Sequence, residues 1–192
     1  MSAEAGRADT RERILRIARD VLRAKGPRGL TFDAVARRLG KSKQAVIYWF
    51  PTKDTLLAET LLPDVAAEAG AARAALRGRR GPEAVRAFVE AVAGFHLEDL
   101  DRFRLVYLTP PATSGSVDSR PGQIAAPVLA DLAACLDGDG DGDTRRADAA
   151  AIHAAVLGLV LTLVRAEDAG TPPPHDGADM IEALARRLAG DG

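Results

Sequence analysis

The chain is poor in the residues that build covalent and catalytic chemistry. Of its 192 residues one is cysteine (Cys135), three are histidine (His96, His153 and His175), and aromatics make up 4%, with a single tryptophan, Trp49. A lone cysteine excludes an intrachain disulfide and makes a reducing cytoplasm the simplest expectation. The histidines and the cysteine form no close constellation and no phosphate-cradling glycine loop occurs, so neither an enzyme nor a cofactor is expected. The start of the chain is polar and charged, without the pattern of a signal peptide. The longest apolar run, Ala149 to Val164, is rich in alanine and contains His153. It falls short of the ~20 residues of a membrane span and reads as a helix buried on several faces, so no membrane partner is expected.

Net charge is also nearly absent, at −1, but its distribution is lopsided. Residues 1–53 hold 13 Lys and Arg against 5 Asp and Glu, a net of +8, which leaves −9 for residues 54–192. The N-terminal quarter therefore has an electrostatic reason to bind a polyanion.

Within that quarter, TFDAVARRLGKSKQAVIYWFPTK (31–53) has the spacing of a helix-turn-helix. Val35 and Leu39 lie four apart on the inner face of a first short helix, with the small Ala36 where a second helix must approach. Thr31 suits its N-cap, and Asp33 suits the positive end of its dipole. Gly40 ends it, because glycine takes the left-handed conformation of a tight C-cap without a Cβ clash. Ser42 is the N-cap of the second helix, whose Val46, Trp49 and Phe50 share the spacing of a buried face. Lys43, Gln44, Ala45, Ile47 and Tyr48 are left facing outward. Lys41 fits less well, since such turns usually bury an aliphatic side chain there.

Upstream, Ile14, Ile17, Ala18, Val21 and Leu22 predict one helix that starts at Asp9 or Thr10 and stops around Gly26 to Gly29. The result is a three-helix headpiece. Downstream, Asp54 to Leu62 opens a fourth helix whose first amides, with Lys53 beside them, suit a backbone phosphate. Pro63 is expected to kink that helix or end it early.

The run KSKQAVIYWFPTKDTLL (41–57) resembles the signature of the tetracycline-repressor (TetR) family of one-component transcriptional regulators. In that family a phenylalanine, a short turn, a lysine and an acidic residue join the recognition helix to the fourth helix, matched here by Phe50, Pro51, Thr52, Lys53 and Asp54. The resemblance covers about a quarter of the chain. It implies an all-α protein in which a helix-turn-helix DNA-binding domain (1–53) precedes a helical effector-binding and dimerisation domain (54–192). It sets Lys43, Gln44, Ala45, Ile47 and Tyr48 against base edges or sugar-phosphate, and makes Thr31, Ser42 and Lys53 phosphate contacts. Two positions depart from the family pattern. Ile47 stands where a tyrosine usually contacts the DNA backbone, and Trp49 where a histidine often does. Tyr48 then supplies the hydroxyl from one position along. By chemistry Gln44 suits adenine and Lys43 suits guanine.

The remaining 139 residues suffice for one helical domain. Leu157, Gly158, Leu161 and Val164 suit close packing against another helix, and Met180, Ile181, Leu184, Ala185 and Leu188 give a final amphipathic helix. Two such helices from each of two chains would make a four-helix bundle. A homodimer also fits DNA reading, because two symmetric headpieces read a palindromic operator with half-sites roughly 34 to 36 Å apart, or a multiple of that. By resemblance, the middle of the domain holds the pocket for an unknown small-molecule effector. Its candidates are Phe88, Phe95, His96, Leu100, Phe103 and Tyr107, against the alternative that these aromatics are plain core. Loops are signalled at 109–122 and 170–177.

Asp137, Asp139, Asp141, Gly142 and Asp148 match positions 1, 3, 5, 6 and 12 of a calcium loop in number. The last ligand is Asp rather than the longer Glu, Thr144 replaces the usual aliphatic, and Arg145 and Arg146 bring positive charge. The run reads as a solvated turn, with no metal expected. The expected function is a ligand-released, homodimeric, cytoplasmic repressor. The alternatives are a non-specific helical nucleic-acid-binding protein and, further off, a small helical ligand carrier or enzyme.

Overall fold

The computed structural model describes residues 2–109, 120–137, 140–173 and 175–190. Among the described residues every regular element is a helix, as expected. They are α1 (Ser2–Gly29), α2 (Phe32–Leu39), α3 (Lys43–Trp49), α4 (Lys53–Leu76), α5 (Gly81–Leu97), α6 (Leu100–Tyr107), α7 (Arg120–Cys135), α8 (Gly142–Asp168) and α9 (Gly177–Leu188). The chain divides into two compact units, one made of Met1–Asp64 and Arg104–Pro121, the other of Val65–Phe103 and Gly122–Gly192.

In the first unit the apolar stripe of α1 is buried at Ile14, Ala18, Val21 and Leu22, with Ile17 half-buried against them. The helix breaks where the stop signals stand, at Gly26, whose φ of 63° is left-handed, with Pro27 next. A tight turn ends α2: Gly40 has φ 69°, its amide donates to the Arg37 carbonyl, and the Lys41 amide donates to the Ala36 carbonyl at 3.1 Å. These two bonds close the helix end as a Schellman motif. Lys41, at the position that often makes the motif's apolar contact, is exposed.

Helices α1 to α3 do not complete this core by themselves. Leu56, Leu57 and Leu61 of α4 and Leu105 of α6 join Val35, Leu39, Val46 and Phe50 in the same buried cluster. A buried Leu or Phe contributes about 1.5 to 3 kcal/mol by leaving water, so this unit is stabilised by residues well beyond the helix-turn-helix.

Pro63 neither stops α4 nor shortens it, contrary to expectation, and the helix continues to Leu76. Proline withdraws the amide that the Glu59 carbonyl would otherwise accept from. Burial of Leu57, Thr60, Leu61 and Asp64 around the proline opposes unwinding. The Arg19 guanidinium donates to the Thr60 carbonyl at 3.1 Å and to Asp64 at 2.9 Å, which adds two bonds from α1.

In the second unit α5 is the central element, packed on α8 and α9. It buries Val85, Phe88, Val89, Val92, Ala93 and His96, while α8 supplies Ile152, Val156, Val160 and Leu163, and α7 supplies Val128 and Leu132. Gly177 opens α9 at a close approach. A Cβ there would meet Leu97 Cδ2 at 3.1 Å and Leu163 Cδ1 at 3.5 Å.

Helix α8 is longer than the apolar run that announces it, and by length and composition alone it could cross a membrane, with 33% of its most apolar window buried. Its buried stripe packs on α5, which is the arrangement of a core helix. It also consumes half of the calcium-like run. From Gly142 onward that run is helix, so Asp148 lies on α8 and closes no loop. Asp141 is the N-cap, accepting from the Thr144 amide at 2.8 Å, and this bond holds its carboxyl below the usual carboxylate range. Residues 138 and 139 of the run lie outside the described residues, as do 110–119 of the first expected loop and Pro174 of the second. Arg120 to Gly122, expected as loop, open α7, whose helix then runs through Pro127.

Candidate nucleic-acid interface

Helix α3 is positioned from both ends. The Ala45 amide donates to Ser42 Oγ at 3.3 Å at its start, and at its end the Phe50 amide donates to the Val46 carbonyl at 3.0 Å. Val46 and Phe50 are fully buried, which anchors the inner face of α3 to the core. Trp49, the third residue of the expected buried face, is half-buried against that core. Its ring also meets Tyr48 edge-on, 5.4 Å between centroids, and Tyr48 itself is 66% exposed.

Of the residues expected to face DNA, Thr31, Ser42, Lys43, Gln44 and Tyr48 are exposed, and Ala45, Ile47, Trp49 and Lys53 are half-buried. Thr31 Oγ1 accepts from the Ala34 amide at 3.1 Å, so both hydroxyls named as phosphate contacts also serve as caps. The Lys53 ammonium donates to the Pro27 carbonyl at 2.8 Å and ties the start of α4 to the end of α1. That leaves it two further N–H donors.

Three contributors escaped the sequence pattern. Thr52 caps α4 by accepting from the Thr55 amide at 3.0 Å, a Thr-x-x-Thr signal that was visible. Arg11 of α1 sits over the Phe50 ring, 5.5 Å to its centroid, and pairs with Glu59. Lys43, the first residue of α3, pairs with Asp33 of α2 at 3.1 Å. The last two contacts join elements, and no periodicity announces them.

The effector candidates fall in both units, Tyr107 in the first and the other five in the second. Phe88, His96 and Phe103 are fully buried, while Phe95, Leu100 and Tyr107 are half-buried. The His96 ring stands edge-on to Phe95 and Phe103, 5.2 Å from each. Glu68, which the sequence did not single out, lies 3.3 Å from His96 Nε2 and 3.6 Å from His153 Nε2. Leu100 instead lines an apolar cleft of about 440 Å³ with Leu97, Leu163 and Pro172. Among the described residues no three His, Cys, Asp or Glu side chains are grouped to hold a metal ion. Of the expected dimer residues, Val164 and Ile181 are buried within their own chain; Leu157, Leu161, Leu184 and Leu188 are half-buried and Gly158 is exposed.

No curated protein matches the chain by sequence. Solved structures do match its fold. The regulatory protein SCO4313 superimposes with a TM-score of 0.80 at 22% identity, covering 97% of this chain and 98% of that one. FadR from Bacillus subtilis, in complex with stearoyl-CoA, gives 0.72 at 12% identity over 93% and 97%. The TetR family regulator PfmR from Thermus thermophilus gives 0.65 at 22% identity over 93% and 95%. The model of the bacterial regulatory proteins of the tetR family matches residues 14–60, a span that holds α2, α3 and the Phe50 to Asp54 junction. Residues 14–60 thus match the DNA-binding segment of the tetR family of bacterial regulatory proteins, and the all-helical fold around them is the one these solved structures share.

Proposed function

We propose that the protein is a homodimeric repressor that holds a palindromic operator until a small molecule releases it. The observation that carries this reading is α3, anchored inward by Val46 and Phe50 and presenting Lys43, Gln44 and Tyr48 outward on a segment of net charge +8. Positive charge supplies affinity for the phosphates, and side chains on base edges supply specificity.

The homodimer rests on α8, where the residues of the most apolar window outside its buried stripe are half-buried or exposed in their own chain. Leu157, Gly158 and Leu161 of α8, with Leu184 and Leu188 of α9, are the residues proposed to meet a second copy. An apolar face of this length is expected to be covered. Release rests on likeness of fold: FadR from Bacillus subtilis carries stearoyl-CoA. Of the six effector candidates, Phe88, Phe95, His96, Leu100 and Phe103 of the second unit are the residues proposed for the effector site, and the cytoplasm is the proposed compartment. Effector binding would favour a dimer whose headpieces are wrongly spaced for the operator, and a coupling of about 1 to 3 kcal/mol would weaken DNA binding about 5- to 150-fold.

Selection of binding sites from random DNA by the purified chain tests the reading. Enrichment of one palindrome, preferred by about 10³ or more over random duplex, is expected. Enrichment of no palindrome at moderate salt would overturn it in favour of a non-specific binder.

A further inference from the structure

Asp33 is the single acidic residue between Asp20 and Asp54, a stretch that contains eight Lys and Arg. A carboxylate there opposes the attraction of this segment to phosphate, so its use needs a reason. Its position supplies one. Asp33 lies in the first turn of α2, and its Oδ2 accepts from the ammonium of Lys43, the first residue of α3, at 3.1 Å. Both side chains are exposed, 62% and 50%, and an exposed pair of this kind contributes little to stability. The effect is therefore sought in binding.

We infer that Asp33 is a positioning residue that determines the specificity of DNA reading by holding Lys43 at the start of the recognition helix. This rests on the repressor reading given above. An unpaired lysine is a flexible point charge that finds the nearest phosphate on any sequence. Lys43 gives one of its three N–H donors to Asp33, keeps two for an acceptor such as guanine O6 or N7, and has its charge offset. Asp33 thus lowers affinity for arbitrary DNA and fixes the direction in which Lys43 reaches.

The test compares wild type, Asp33→Asn, Asp33→Glu, Lys43→Ala and the double variant Asp33→Asn/Lys43→Ala. Each is titrated by anisotropy on the selected operator and on scrambled duplex over a range of KCl. With Asp33→Asn, the salt slope on scrambled duplex steepens by about 0.9, the value of one added phosphate contact. Preference for the operator falls about tenfold, the loss of one base reading. Asp33→Glu restores preference in part, and Asp33→Asn has no effect on preference in the Lys43→Ala background. An unchanged slope and preference for Asp33→Asn would overturn the inference, as would an equal effect with Lys43 absent. The slope on scrambled duplex is read whether or not any site is selected, so failure of the repressor reading stays distinguishable from failure of this one.

Discussion

Arg19 of α1 grips Asp64 of α4 at 2.9 Å, one residue past Pro63 and at the last residue of the first compact unit. The same guanidinium holds the Thr60 carbonyl at 3.1 Å, so one side chain braces the turn that the proline weakens. Asp64 is largely buried, and its Oδ2 has no hydrogen-bond partner among the described residues. Removal of the guanidinium would leave that carboxylate poorly compensated.

Arg19→Met should therefore destabilise the protein although it keeps much of the side-chain volume. Breaking a buried pair costs about 3 to 5 kcal/mol, and the partial exposure of Arg19 reduces the expectation to about 1 to 3 kcal/mol. At roughly 2 to 4 °C per kcal/mol for a chain of this size, thermal melting followed by circular dichroism resolves the change. Pairing it with Asp64→Leu should recover much of the loss. An unaltered Tm in Arg19→Met would show the pair to be ornamental.

Gly40 offers a backbone test of the turn. Its φ of 69° and the two amide bonds around it require the left-handed region, which costs an L side chain about 1 to 2 kcal/mol. Gly40→Val should lower Tm accordingly and weaken DNA binding, because α3 is aimed by this turn. Retention of both properties would mean that the two helices keep their geometry by core packing alone.

Tyr48 and Lys43 should separate binding from folding. Both side chains are exposed, so Tyr48→Ala and Lys43→Ala should melt within a degree or two of the wild type. Each should weaken operator binding about 5- to 150-fold, the range of a base or backbone contact worth about 1 to 3 kcal/mol. Trp49, the sole tryptophan, touches Tyr48 edge-on, so its emission should change when DNA binds. A silent tryptophan together with undiminished affinity in both variants would move the interface away from α3.

The helix-turn-helix was legible because its determinants are local. Val35, Leu39, Val46 and Phe50 declare themselves by spacing, and Gly40, Thr31 and Ser42 by the conformations and caps that only a few residues supply. Lys53 with Pro27, Lys43 with Asp33 and Arg19 with Asp64 were not legible, since partners 26, 10 and 45 residues apart leave no periodic trace. Pro63 misled for the same reason: its local preference to end a helix is outweighed by burial and by an arginine on another element. In the second unit helical spacing identified the apolar stripes, but a stripe does not say which side meets its own chain. Val164 and Leu161 look alike in sequence, yet one is fully buried and the other half-buried.

Asp141 gives a prediction in pH. Its exposed carboxylate caps α8 through the Thr144 amide, and the bond to the charged form lowers its pKa from the ordinary value of 3.8. A folded pKa below the unfolded one means that the unfolded chain binds the proton more readily, so the stabilisation is complete above the unfolded pKa and is lost as pH falls through the folded one. Asp141→Ala should then melt below wild type at neutral pH, and the gap should narrow below about pH 3.8 to what a neutral capping oxygen supplies. Asp141→Asn keeps a capping oxygen and should show little of that pH dependence. A gap that stays constant from pH 7 to pH 3 would mean that the charge on Asp141 plays no part in starting α8.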